Sequence, residues 1–269
     1  MNGLGRAAGT SELIQEAKMP VQPLNYKIKH YRGLPIRYRP ETSDERVIEE
    51  VLDRRCYRRP RLGFDVLPGE SWLDLGANIG TFGVYCLANG ATAECYEPEP
   101  ECFKLLVKNV PGLNCIEAAV TASNEPAVRL WTSSKSGNYS RATCLPTESM
   151  KNHTGFDAPN YPAANLIGRR FDGVKMDIEG AEGDIIDRWL LPECSKLVLE
   201  YHSWRFPDTE MLSSRLEMLK SRFAVVDYRA EYDRDIARGF MSPRRMDRLI
   251  FCIGPKEKPT GVSSGLSVR

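Results

Sequence analysis

Along most of the chain, short apolar stretches typical of strands alternate with stretches in which apolar residues recur at helical spacing. Short apolar runs such as Trp72–Leu75 and Gly173–Met176 have an acid within one residue of their last position, and stretches with helical spacing follow them. Strands that alternate with helices favour a mostly parallel sheet covered on both faces. The same patterns predict further strands at 91–96, 114–120, 127–131, 196–200, 223–228 and 248–253, and helices after Gly80, after Pro100, around Ile185 and at 210–221.

The predicted elements form one domain between two tails. Residues 1–20 and 255–269 are small and polar, which is typical of disordered termini. Residues 21–254 then make up the domain, and its first part, 21–70, is an N-terminal extension. A helix at about 42–55 opens in this extension with a capping box, Thr42-Ser-Asp-Glu45. The stretch 132–172 is rich in Pro, Asn and aromatic residues and predicts an insertion on the substrate side.

Composition narrows the class of protein. The chain has 269 residues, 42% of them hydrophobic, and a net charge of +1, so no global field attracts nucleic acid or an anionic membrane. No apolar run approaches the roughly 20 residues that cross a bilayer, and the first residues lack the apolar core of a secretory signal. The eight cysteines form no C-x-x-C pair, which favours reduced thiols. We therefore expect a cytoplasmic protein without a membrane partner.

The most informative turn is Asp74-Leu-Gly76-Ala-Asn-Ile-Gly80, which follows a strand. A triphosphate-binding loop needs a lysine after the last glycine, and this chain has none there. A dinucleotide-binding turn needs a third glycine, and the Asp74 carboxylate would repel a pyrophosphate. That carboxylate suits a cationic ligand with an amine and a sulfonium, namely S-adenosylmethionine. Glu97 ends the next strand, 23 positions later (97 − 74), where an acid can bind ribose hydroxyls.

A family resemblance rests on four motifs in order: DLGANIG, YEPEP, KMDIEGAE and LVLEYH. With them the chain resembles the FkbM-type methyltransferases, a branch of the class I S-adenosylmethionine enzymes, over residues 42–253. The resemblance implies an α/β, Rossmann-like class I methyltransferase sheet, mostly parallel, with seven strands, the last one antiparallel, and helices on both faces. It also implies methyl transfer, usually to a hydroxyl oxygen.

The resemblance further implies which residues bind the cofactor. All of them lie at strand ends or in the turns that follow. They are Asp74, Gly76, Asn78 and Gly80 at the methionine end, Glu97 at the ribose, Glu117 and Ala118 at the adenine, and Asp177 beside the transferable methyl group, with Ala77 and Pro98 as further contacts.

Methylation of a hydroxyl needs a proton acceptor, and candidates cluster near the second acidic turn. Glu200 and His202 are two apart, so a continuing strand places both on one face. His202, with an unperturbed pKa near 6.5, is the natural base, and Glu200 can orient it or bind the acceptor. Glu179 and Glu182 flank the same opening from the helix after Asp177. Asp177, Glu179, Glu200 and His202 can also hold a divalent cation, but no ligand spacing demands one, and we predict no metal.

The acceptor predicted from the resemblance is a small molecule or saccharide. Three arginine groups, at 54–61, 169–170 and 244–248, would suit an anionic acceptor if they converged on the pocket. An RNA 2′-O-methyltransferase is the second candidate; it shares acids at Asp177 and Glu200, but this chain lacks the lysine expected on the intervening helix. A non-catalytic S-adenosylmethionine-binding module is the third. Nothing in the sequence indicates the oligomeric state.

Overall fold

The structure is a computed structural model that describes residues 25–133, 143, 153–202, 209–228, 237 and 247–255. Its main sheet contains seven strands: β3 (Ser71–Leu75), β4 (Thr92–Tyr96), β5 (Asn114–Ile116), β9 (Gly173–Met176), β10 (Lys196–His202), β11 (Phe223–Asp227) and β12 (Asp247–Pro255). The order across the sheet is β11-β12-β10-β9-β3-β4-β5, and β12 is antiparallel to both its neighbours while the other paired strands are parallel. The predicted sheet, with its last strand antiparallel, is confirmed.

Apolar cores cover the sheet on both faces. Alternate residues of β3 point to opposite sides, so Trp72 packs in one core while Leu73 and Leu75 pack in the other. The described residues contain five α-helices: α1 (Asp44–Ile48), α2 (Thr81–Ala88), α3 (Pro100–Asn109), α4 (Glu182–Asp187) and α5 (Thr209–Arg222). Residues of α2 and α3 belong to the first core, and those of α4 and α5 to the second.

The position of the ligand site follows from the strand order. From β3 the chain adds β4 and β5 on one side and later returns to add β9 and β10 on the other. In open α/β sheets ligands bind beyond the carboxyl ends of the strands at this switch point. The acids that close β3, β9 and β10 therefore come together, as the sequence predicts.

The N-terminal extension differs from its prediction. It begins with a hairpin that the sequence analysis did not anticipate, β1 (Lys27–Tyr31) paired with β2 (Leu34–Tyr38). The predicted capping box is wrong, because Ser43 occupies the N-cap of α1 without a side-chain cap. Asp44 is fully buried and binds the Arg39 guanidinium instead, with contacts of 2.9 and 2.8 Å. A π-helical turn, Glu49–Asp53, continues α1.

The predicted strand 114–120 is divided between two sheets. β5 ends at Ile116, and β6 (Ala119–Thr121) joins β7 (Ala127–Ser133) and β8 (His153–Pro162) in a three-stranded sheet of order β6-β8-β7. β8 lies in the stretch expected to be an insertion. Most of 134–152, the tail 1–20 and residues 256–269 lie outside the described residues, so the predictions made for them stay predictions.

Among the described residues, no helix has both the length and the apolar character needed to cross a bilayer.

Candidate active site

A pocket of about 410 Å³ opens at the carboxyl ends of β3, β4, β9 and β10. This size lies within the roughly 300–1,000 Å³ of small-molecule sites. The π-helical turn and Tyr57 of the N-terminal extension cover one side of it. Asp74, Gly80 and Glu117 do not line the pocket, and the other ten predicted site residues do: Gly76, Ala77, Asn78, Glu97, Pro98, Ala118, Asp177, Glu179, Glu200 and His202.

Asp74 lies beneath the pocket floor and is fully buried. It pairs in register with Lys175 on the neighbouring strand, whose Nζ is 3.1 Å from Asp74 Oδ1 and donates to the Gly76 carbonyl at 2.6 Å. Burial raises the pKa of Asp74, and the nearby Lys175 ammonium opposes that shift. The sequence argument gave Asp74 a free charge facing the ligand. In the structure that charge is compensated by Lys175.

The two glycines of the first motif allow close packing of the chain. Gly76 has φ +80°, and a Cβ there would lie 1.8 Å from the Asp177 carbonyl oxygen. At Gly80, with φ +88°, a Cβ would lie 2.9 Å from the Leu106 Cδ1 atom on α3. The sequence argument attributed these glycines to close approach of a ligand. The structure gives Gly76 another cause, because the ends of β3 and β9 approach too closely for any side chain there. At Gly80 the positive φ and the Leu106 side chain on α3 both disfavour a Cβ.

Glu97 stands at the end of β4 with 7% of its surface exposed. Its Oε2 accepts a hydrogen bond from Asn78 N and its Oε1 accepts one from Glu99 N, both at 2.8 Å. Burial raises the pKa of Glu97 to about 7. Each carboxylate oxygen has a second lone pair, so Glu97 can still accept two hydroxyl hydrogens from a ligand. Farther along, Ala118 lines the pocket but Glu117 is exposed to solvent.

His202 ends β10 and is 2% exposed. Its Nδ1 lies 3.0 Å from Glu182 Oε1, and its Nε2 lies 3.3 Å from Glu179 Oε2 and 3.8 Å from Asp177 Oδ1. Burial lowers the pKa of His202, but the carboxylates of Glu182, Glu179 and Asp177 outweigh it and raise the pKa well above its usual value. The assumption of an unperturbed pKa near 6.5 is therefore wrong. The three carboxylates therefore favour the protonated form of the imidazole.

One group in the described part of the chain has metal-ligand spacing: candidate ligand atoms of Asp177, Glu182 and His202 all lie within 4.8 Å of one another. The Glu182 oxygens, however, accept hydrogen bonds from Ile178 N at 2.9 Å and Gly180 N at 3.0 Å. With His202 Nδ1 also beside Glu182, internal hydrogen bonds and ion pairs account for the arrangement. It also differs from the set considered from the sequence, which contained Glu179 and Glu200 in place of Glu182.

Among the pocket residues that sequence reasoning missed, Lys175 and Tyr57 contact the predicted site residues Asp74 and Asp177. A signal for Lys175 existed: it is a cation within an apolar strand, one residue before the strand end, as Asp74 is in β3. No comparable signal existed for Tyr57, whose hydroxyl donates to Asp177 Oδ2 at 3.2 Å from 120 positions away along the chain.

The predicted arginine groups do not all meet at the pocket. Arg54 and Arg59 line it, and they lie 3.3 Å from Glu49 and 3.6 Å from Asp227 respectively. Arg169 binds Glu94 at 2.7 Å and is not part of the lining. The side chains of the third group, 244–248, lie outside the described residues. Among the described residues, the arginines of the pocket lie near acidic side chains, so they offer little free positive charge to an anionic acceptor.

Comparison with known proteins adds a family match. The model of the family described as "Methyltransferase FkbM domain" matches residues 74–229. No curated protein sequence shows significant similarity to the chain.

Solved structures show only a distant likeness. A tRNA (uracil-54, C5)-methyltransferase of Pyrococcus abyssi, in complex with S-adenosyl-L-homocysteine, is 11% identical, with a TM-score of 0.42 over 86% of this chain and 44% of its own. A SAM-dependent O-methyltransferase of Thermotoga maritima is 12% identical, with a TM-score of 0.39 over 79% of this chain and 72% of its own. The chain therefore spans less than half of the first of these proteins. At such scores the likeness says nothing about substrate.

Proposed function

The chain belongs to the FkbM family of methyltransferases, whose cofactor is S-adenosylmethionine, and we propose that it methylates a hydroxyl oxygen of a small molecule or saccharide. The observation that carries this proposal is the imidazole of His202, which carboxylates contact on both ring nitrogens at the edge of the cofactor pocket.

The residues of the pocket fit the cofactor. Glu97 offers two acceptor oxygens for the ribose hydroxyls. Thr81 Oγ1 is buried beside the pocket and has no hydrogen-bond partner within the described part of the chain, so it is available to a polar group of the ligand. Ala118, Val120 and Leu130 give an apolar wall for a flat ring. These residues would hold the ribose and adenine portions.

The acid-rich wall formed by Asp177, Glu179 and Glu200 favours a cation. These three residues line the pocket beyond the Gly76 turn, and they would attract the sulfonium and the amine of the cofactor. Held there, the cofactor would supply a methyl group activated by its sulfonium, for transfer to an oxygen of the acceptor with the sulfide as leaving group.

The remaining work of the protein is alignment and removal of one proton. Alignment of reacting groups is worth roughly 7–11 kcal/mol, and a positioned base adds about 10²–10⁴ in rate. Glu182 fixes the His202 ring through Nδ1. In the proposed reaction neutral His202 accepts the hydroxyl proton on Nε2, next to Glu179 and Asp177, which stabilise the resulting cation. Glu200, two residues earlier on the same face of β10, binds the acceptor.

Tritium transfer from methyl-labelled S-adenosylmethionine tests the proposal against its alternatives. Purified protein is incubated with either a small-molecule and saccharide extract or total RNA, and the labelled product is treated with mild alkali. We expect label in the extract that survives alkali, as an ether does and a methyl ester does not. Label in RNA would favour the 2′-O-methyltransferase. Cofactor binding without transfer to either pool would favour the non-catalytic module.

A further inference from the structure

Tyr57 joins the N-terminal extension to the reacting side of the pocket. It lies outside the residues that match the family model, 74–229, and is 6% exposed. Its ring packs edge-on against Phe82, with centroids 5.6 Å apart and planes at 89°, and Lys175 Nζ lies 5.7 Å from the ring centroid. Because these contacts fix the ring, the hydroxyl has a defined position over Asp177.

The Tyr57 hydroxyl contacts one of the two oxygens of Asp177. It donates to Oδ2 at 3.2 Å, and Lys175 Nζ lies 3.9 Å from the same oxygen. The other oxygen, Oδ1, is the one 3.8 Å from His202 Nε2. Burial raises the pKa of Tyr57 well above its usual value, so its hydroxyl stays a donor throughout the neutral range. The orientation of the Asp177 carboxylate therefore depends on a residue of the extension.

We propose that Tyr57 is a positioning residue: its hydroxyl holds Asp177 with Oδ1 turned towards His202, so that the N-terminal extension completes the acceptor side of the pocket. The proposal rests on the proposed function, since it assigns Asp177 and His202 to the side where the methyl group is accepted. It also implies that the residues matching the family model do not by themselves form the complete site.

A matched pair of variants in the full chain tests the proposal. Tyr57→Phe removes the hydroxyl and keeps the ring. Tyr85→Phe is the control, because the Tyr85 hydroxyl also joins the domain to the extension, through Asp65 Oδ1 at 2.6 Å, but lies outside the pocket lining. Three readouts are compared: the affinity for S-adenosylhomocysteine by calorimetry, the rate of tritium transfer into the extract at saturating cofactor, and hydrogen exchange of the amides of residues 177–182 with S-adenosylhomocysteine bound.

We expect Tyr57→Phe to lower the transfer rate about tenfold, as expected for loss of one hydrogen bond to a charged group, and to accelerate exchange at 177–182. Its affinity for S-adenosylhomocysteine should stay within about twofold of the parent. Tyr85→Phe should match the parent in all three measurements.

Three outcomes would overturn the proposal: a Tyr57→Phe variant with parental rate and exchange, equal losses in both variants, or a loss of cofactor affinity as large as the loss of rate. If the parent protein transfers no methyl group to any pool, the proposed function fails. In that case the exchange measurement alone decides the link between Tyr57 and Asp177, and unchanged exchange at 177–182 refutes it.

Discussion

The carboxylates on the floor of the pocket and those on its acceptor side differ in how their charge is compensated. On the floor, Asp74 is fully buried and its charge is compensated by Lys175 at 3.1 Å. On the acceptor side, Glu179, Glu182 and Asp177 surround the single imidazole of His202. Paired charge serves stability, because an unpaired buried charge is costly. In the proposed function, the excess of acid on the acceptor side favours a sulfonium ligand.

The largest effect should follow from removing the cation of the floor. Lys175→Met leaves Asp74 buried without a partner, which costs about 3–5 kcal/mol of the free energy of unfolding. Urea denaturation measures it. The double variant Lys175→Met/Asp74→Asn removes the unpaired charge and should recover most of the loss. If the single variant lost less than about 1 kcal/mol, the distinction between floor and acceptor side would be wrong.

On the acceptor side, His202→Gln should affect turnover rather than cofactor binding. Glutamine keeps a donor for Glu182 but cannot act as the base, so we expect a fall in rate of about 10²-fold. Affinity for S-adenosylhomocysteine, measured by calorimetry, should stay nearly constant. Turnover equal to that of the parent would remove His202 as the base.

At Glu97, the proposed ribose-binding residue, the variant Glu97→Gln should weaken S-adenosylhomocysteine binding about tenfold, because a neutral amide accepts hydroxyl hydrogens less strongly than a carboxylate. The raised pKa of about 7 also gives the parent a pH dependence. Below that pH Glu97 is protonated, so the affinity should fall as the pH drops through about 7, and Glu97→Gln should abolish this trend. Calorimetry at pH 6 and 8 tests both statements. An identical pH trend in parent and variant would contradict them.

A smaller effect concerns the pH dependence of turnover. The base must be neutral, and the pKa of His202 is raised, so turnover should increase with pH through a limb well above pH 6.5. Glu182→Gln removes one of the carboxylates that raise this pKa and should shift the limb to lower pH. The same linkage makes His202 stabilise the fold fully below about pH 6.5, a contribution lost as the pH rises through its folded pKa. A limb at the same pH in both proteins would disprove the coupling.

Removal of divalent cations by a chelator should have no effect on the transfer rate. If hydrogen bonds and ion pairs account for the cluster of Asp177, Glu182 and His202, dialysis against EDTA should leave the transfer rate unchanged. A loss of activity that Mg²⁺ or Mn²⁺ restores would instead assign the acceptor side to a divalent cation.

Much of the scaffold could be predicted from local sequence. Gly173–Met176 and Ser71–Leu75 are apolar runs bounded by turns, and the glycines after the first strand mark positive φ angles whatever packs around them. The capping box was wrong because the helix begins one residue later than predicted, with Ser43 at the N-cap and no side-chain cap. The prediction of one continuous strand at 114–120 was wrong because of a distant contact. The strand after Ile116 pairs with β8, about 40 residues farther along the chain.

The sequence by itself determined the alternation of strands and helices, the acidic strand ends and the cofactor, because backbone periodicity and short motifs act over a few residues. The number and direction of the strands came from the family resemblance. Only the tertiary structure decided what each acid does. It paired Asp74 with Lys175, surrounded His202 with three carboxylates and brought Tyr57 to Asp177 across 120 positions. The physical reason is that desolvation and Coulomb energy depend on distances in space and on exclusion of water, which exist only once the chain has folded.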